Sequence, residues 1–535
     1  MRIHFSANTR RFTAALLAFV FMLAAFAPAA LPKAEAATCS CGKAPVIYVH
    51  GHQSFYKTLD DGTRIEMFSD DDEEVTAAIR DIVPVFLKAV AVNTDEAWQA
   101  YYDQFLGTFP KFFDDVTVRP DGSVKEGTGV DFSWSYDSLP TYHSGGDNYT
   151  FLYDYRVSLF EEAAKLNDFI EAVKRKTGHD KVILMSRCGG TNLAAAYLSE
   201  YQKPIGYAGI EKVIWLSGNV KFNSEAFYRW VKTYKLTDYV SEEIAGYIYT
   251  VLDSLEATAG TDGICKLLDR LYNKMKDDLI APFLKVWYGV NAGFVAFVDD
   301  NYEQYKSYIF NEEGDLEKYA AVLEYLDRYH YEVQEKTEED LLAMKAAGVE
   351  VDTVVYYGNQ TFPFTESASL TSDTVTAVAD QSFGGTASAL MGTLSDSYIA
   401  EREAAGFGKY ISPDKQIDAS TGLFPETTWY VKNANHIFHH GAINSFLMAI
   451  ARTENATVDT VAGYPQFLNY DPDAQVFSPL EATNASDTDW QGMEHDAQSH
   501  GVTNLLRLII EFMQKLLDKI VAFFNDPVGT VRGGI

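Results

Sequence analysis

The sequence is short of cysteine, of basic residues and of long apolar runs, and each shortage removes a class of protein. Four cysteines in 535 residues are too few for the disulfide framework that replaces a core in small secreted domains. Spacing leaves the pairing of Cys39, Cys41 and Cys265 open. Lys and Arg number 44 against 75 Asp and Glu, a formal net charge of −31. That balance excludes the basic face that nucleic acid requires, and it would repel a strongly anionic membrane surface. Beyond the N-terminal segment, no stretch is long enough and free enough of charge to cross a bilayer. A zinc-binding HExxH pattern and a phosphate-binding Gly-Lys loop are both missing, so no zinc or nucleotide cofactor is expected, while the acidic loops leave a bound calcium open.

What is present begins with an export signal. Arg2, Arg10 and Arg11 precede an apolar run from Phe12 to Ala30, and Ala34-Glu35-Ala36 offers a cleavage site before Ala37. The spacing predicts a signal peptide of bacterial type over 1–36, and hence a secreted protein. Hydrophobic residues at 47% and aromatic residues at 14% can fill a large core with an apolar pocket.

The order of elements then argues for an α/β fold. PVIYV (45–49), YTFLYDY (149–155), KVILM (181–185) and KVIWLS (212–217) are short apolar runs bounded by turn residues. Such runs suit strands buried on both faces of a parallel sheet. Between them, 159–176 carries Phe160, Ala163, Leu166, Phe169, Ile170 and Val173 at helical spacing and ends at Gly178. Strands alternating with helices predict a mostly parallel sheet with helices on both faces. The expected division is a first core part over 37–218, a helical cap over 219–346 and a second core part over 347–465. An acidic linker over 466–500 and a C-terminal amphipathic helix and tail over 501–535 follow. In that helix Asn504, Arg507, Glu511, Lys515 and Asp518 form a narrow polar stripe. The wide apolar face must be buried, either on the parent domain or against a membrane surface or partner helix.

The chemistry is carried by KVILMSRCGGT (181–191), a strand that turns sharply into a helix at Cys188. Strand and helix approach closely at such a turn, so small residues are needed on either side, here Ser186 and Gly190. The helix starting near Gly189 would point its positive end at the sulfur and favour the thiolate. Arg187 could help only if its side chain turned toward the sulfur, and residues before such nucleophiles usually point away.

This turn, with the upstream strand ending in His50-Gly51, resembles the nucleophile elbow of the α/β-hydrolases. Together with Leu152-Tyr153-Asp154-Tyr155-Arg156 and VILMSRCGGTNLAAAYL, it is similar to the lipase and lecithin:cholesterol acyltransferase branch. The resemblance covers the sheet parts of about 45–220 and, more loosely, 350–450. It implies an acyl-ester substrate with an apolar acyl group, and a nucleophile, acid and base in that chain order. Cys188 stands where that branch has serine. His436, after TWYVK (428–432), takes the place of the base, with His439 and His440 as alternatives. Asp418 is the favoured acid and Asp373 its rival. The oxyanion donors implied are the backbone N–H of Gly189 and one from the loop at His52 or Gln53, which His50 would brace. The departures are Cys188 for serine, Ser186 for the usual glycine and Arg187 for the usual histidine. They leave two functions open: a secreted acyl hydrolase or acyltransferase, and a silent protein that holds a lipid or partner in the same cleft.

Overall fold

The computed structural model describes residues 42–482, except 52–54, 68–76, 141–147, 219, 222–301, 311–312, 361–370, 390–391, 437–440 and scattered positions within 78–93 and at 113, 116 and 473. The leader, Cys39, Cys41, Cys265, most of the expected cap and the C-terminal helix lie outside the described residues. So do His52, Gln53, His439 and His440.

Eight strands make one sheet: β1 (Val46–Val49), β2 (Asn148–Phe151), β3 (Val182–Arg187), β4 (Ile210–Leu216), β5 (Glu350–Tyr357), β6 (Thr428–Lys432), β7 (Phe467–Asp471) and β8 (Val476–Pro479). Their order across the sheet is β8-β7-β6-β5-β4-β3-β1-β2. Every adjacent pair is parallel apart from β7 and β8, which form an antiparallel hairpin at one edge. The inner strands are apolar without interruption because both of their faces are covered. All six residues of β3 are buried, and alternate side chains enter different cores. Val182 and Leu184 join one cluster with Val213 and Val351; Ile183 and Met185 join the other with Ile214 and Val354.

Helices supply the two covers. On the first face lie α1 (Leu159–Thr177) and α2 (Gly190–Tyr197), with α3 (Ala320–Tyr329) and α4 (Thr337–Ala346) beside them. On the second lies α5 (Gly441–Arg452), which buries Ile443, Phe446, Leu447 and Ile450. The α1 boundaries follow from local chemistry. The Ser158 side chain accepts from the Phe160 N–H at the start, and Gly178, at φ 69°, closes the end with its N–H on the Lys174 carbonyl.

One expected boundary is not kept. The stretch 466–500 does not begin as a linker, since β7 and β8 belong to the main sheet. Asp471 ends β7, and the acidic, turn-rich composition of the stretch hid the two runs FLNY and VFSP. The polar region 54–145 also holds more structure than its composition signals. Phe55–Thr58, Arg64–Glu66 and Thr128–Val130 form a small antiparallel sheet, and Asp95–Phe112 is a helix.

Candidate active site

Parallel strands deliver their following loops to one edge of a sheet, and in such folds chemistry gathers there. Three loops at the carboxyl edge bring Cys188, His436 and Asp373 together. Cys188 follows β3, in the left-handed region at φ 50°, which costs a non-glycine residue energy and is held by its surroundings. Its N–H donates to the Leu216 carbonyl at 3.2 Å. Its own carbonyl accepts from the Thr191 hydroxyl at 2.6 Å and from the Thr191 N–H at 2.9 Å. Two glycines make the crossing fit. A Cβ on Gly190 would sit 2.5 Å from the Val49 carbonyl oxygen, and one on Gly51 would sit 2.9 Å from the Cys188 Cβ. No side chain larger than hydrogen fits Gly190 unless β1 moves away.

The His436 ring is buried between the other two groups. Its Nε2 lies 2.8 Å from the Cys188 Sγ and its Nδ1 lies 2.7 Å from Asp373 Oδ2. The carboxylate is itself fixed, with Oδ1 accepting from the Val375 N–H at 2.8 Å and the Thr376 N–H at 2.5 Å. The His436 N–H donates to the Asp373 carbonyl at 2.6 Å, tying the two loops by main chain as well. Burial by itself would lower the imidazole pKa. The charges of Cys188 and Asp373 and their hydrogen bonds outweigh it, and the pKa is pushed up to about 10. The arrangement therefore favours an imidazolium facing an anionic sulfur and an anionic carboxylate.

The placement corrects the order of the two acids. Asp418, favoured from the sequence, is fully buried but bound elsewhere. Its Oδ2 accepts from the Tyr398 hydroxyl and the Arg402 Nε, each at 2.8 Å, and its Oδ1 accepts from the Ser420 N–H at 2.9 Å. The reason lies in strand direction. Asp418 comes before β6, where the chain has yet to enter the sheet, whereas Asp373 comes after β5 has reached the carboxyl edge. Strand polarity was the signal that would have placed Asp373, and not Asp418, beside His436.

Arg187 does not serve the thiol. Its guanidinium donates to the His436 carbonyl and so helps to hold the histidine loop, as does the Asn359 side chain by donating to the Ala434 carbonyl at 2.8 Å. The His50 N–H donates to the Phe151 carbonyl at 3.2 Å, which anchors the start of the loop after β1. No hydrogen bond from the Gly189 N–H to a described residue is present, so this donor at the start of α2 is available for an oxyanion. Tyr153 and Tyr155, after β2, are buried beside the site. Burial raises both phenol pKa values, and the charge of Cys188 adds to the effect. Sequence reasoning missed Ser217, which follows β4 at φ 49°. Its hydroxyl donates to Asp373 Oδ2 and lies 3.1 Å from the His436 Nδ1.

Fold and site together define an α/β protein with cysteine, histidine and aspartate in one hydrogen-bonded chain at the carboxyl edge of a mostly parallel sheet. No protein-family model matches the chain, and no curated protein does. Among solved structures, a match is found to one described as "The crystal structure of Tle4-Tli4 complex", with 13% sequence identity and a TM-score of 0.27, covering 88% of this chain and 99% of that one. A TM-score of that size does not establish a shared fold.

Proposed function

We propose that this chain is an acyl hydrolase or acyltransferase of α/β-hydrolase type, working through Cys188, His436 and Asp373 on an ester with an apolar acyl group. The observation that carries the proposal is the unbroken contact from the Cys188 Sγ through the His436 ring to Asp373. A structural cysteine needs no such partner, whereas a nucleophile needs a base and the base needs an orienting group.

The chemistry follows from that order. Asp373 holds the proton on Nδ1, and Nε2 holds the proton drawn from Cys188, so the attacking group is a thiolate paired with an imidazolium. The thiolate attacks the ester carbonyl carbon, a C–S bond forms and the π electrons move to oxygen. The Gly189 N–H, with a donor from the loop after Gly51, stabilises that oxyanion. When the oxyanion collapses, the C–O bond breaks, the imidazolium protonates the departing alkoxide, and a thioester remains on Cys188. Water or an acceptor alcohol then loses a proton to His436, attacks the thioester and releases the thiolate, which again pairs with the imidazolium. The leader over 1–36 would place this reaction outside the cytoplasm.

The test is hydrolysis of a graded series of p-nitrophenyl acyl esters by the purified protein, with Cys188→Ala and Cys188→Ser beside it. Turnover should depend on Cys188, and its chain-length optimum would size the acyl pocket. Silence of the parent toward every chain length, with Cys188 inert to iodoacetamide at neutral pH, would favour the silent binding protein instead.

A further inference from the structure

We propose that Ser217 is a positioning residue for this site, setting how strongly Asp373 holds the proton of His436. The inference rests on the Cys188–His436–Asp373 reading and extends it to a residue that touches neither the sulfur nor the reacting carbonyl. Three observations converge on it. Ser217 is fully buried. Its hydroxyl reaches Asp373 Oδ2, the same oxygen that the His436 ring uses, and lies 3.1 Å from His436 Nδ1. Its backbone is in the left-handed region at φ 49°, with its N–H on the Val354 carbonyl at 2.9 Å. Glycine would adopt that backbone at less cost. What serine adds is the hydroxyl.

The consequence is electrostatic. The Asp373 Oδ1 is already occupied by the Val375 and Thr376 N–H groups, and among the described residues the Ser217 hydroxyl is the donor that shares Oδ2 with His436. A donor to a carboxylate spreads its charge and lowers its basicity. With Ser217 in place, Oδ2 pulls less strongly on the Nδ1 proton, and the imidazolium stays acidic enough to give the Nε2 proton to a leaving alkoxide. Without the hydroxyl, His436 alone satisfies Oδ2, the Nδ1–H bond to it strengthens, and the imidazolium becomes a weaker acid.

Two variants of the full chain test this, Ser217→Ala and Ser217→Gly. The glycine variant accepts the backbone conformation freely, so it separates loss of the hydroxyl from loss of the fold. The expected result for both is a fall in kcat of about ten-fold with KM little changed, consistent with losing one hydrogen bond to a charged group. The alkaline limb of the kcat/KM profile should move upward by about half a pH unit or more. The His436 Nδ1 proton resonance should move downfield. Variants that fold yet keep the parent's alkaline limb and resonance would overturn the proposal. The resonance is read without turnover, so it decides the coupling even if the parent shows no Cys188-dependent activity. That absence would defeat the catalytic reading alone.

Discussion

Asp373→Asn is expected to lower kcat by about 10³–10⁴-fold with the fold intact, whereas Asp418→Asn should leave kcat within a few-fold of the parent. The asparagine amide at 373 can turn its N–H₂ toward the ring. His436 would then carry its proton on Nε2, the wrong nitrogen for accepting one from the Cys188 thiol. The loops should survive, because the amide oxygen still accepts from the Val375 and Thr376 N–H groups. Asp418→Asn fails in the opposite way. It removes the charge facing Arg402 at 2.8 Å in a fully buried position, and leaving one partner of such a pair costs about 3 kcal/mol of stability. Steady-state kinetics and thermal melts of the two variants would separate them. Equal losses of kcat, or a larger loss for Asp418→Asn, would contradict the assignment.

The second large effect concerns stability, at the other end of the sheet. Asp352, on β5, is buried, and neither carboxylate oxygen has a hydrogen-bond partner among the described residues. Lys212 lies 3.8 Å away, but its ammonium is already engaged by Glu350 at 2.9 Å and by the Ile450 and Thr453 carbonyls. Burial therefore outweighs Lys212 and Lys345, Glu350 adds to it, and the Asp352 pKa rises to about 8. Between the unfolded value near 4 and about 8, the folded chain holds a proton that the unfolded chain has lost. Stability therefore falls as pH rises through that window and levels off above it. Asp352→Asn removes the penalty, so it should raise stability by roughly 2–4 kcal/mol at pH 8–9 and by about nothing below pH 4. Denaturant melts at several pH values read this directly. A variant less stable than the parent at pH 9 would show that the Lys212 charge governs this position.

The sequence carried the sheet well where burial is two-sided, as in KVILM and TWYVK, because such strands announce themselves by uninterrupted apolar residues. It carried them poorly where one side meets solvent. The hairpin of β7 and β8 was hidden by the acidic, turn-rich composition of the stretch that holds it, and the small sheet around Phe55 is too short and too polar to stand out. Within the site, Cys188 and His436 could be marked because a strand-to-helix turn and a strand-end histidine are local features. Asp373 and Ser217 were harder. Their importance depends on which strand ends arrive side by side, which strand order decides and local pattern does not. Ser217 gives no local sign at all beyond a place at the end of an apolar strand and a following glycine.

The central claim is that the Cys188 sulfur becomes covalently acylated. The most direct measurement is intact and peptide mass spectrometry on protein quenched during turnover of a p-nitrophenyl ester. The account predicts one acyl group on the peptide containing Cys188, removable by hydroxylamine as a thioester and absent from Cys188→Ala. Turnover that proceeds with Cys188 unmodified, or with the acyl group on another residue, would contradict it.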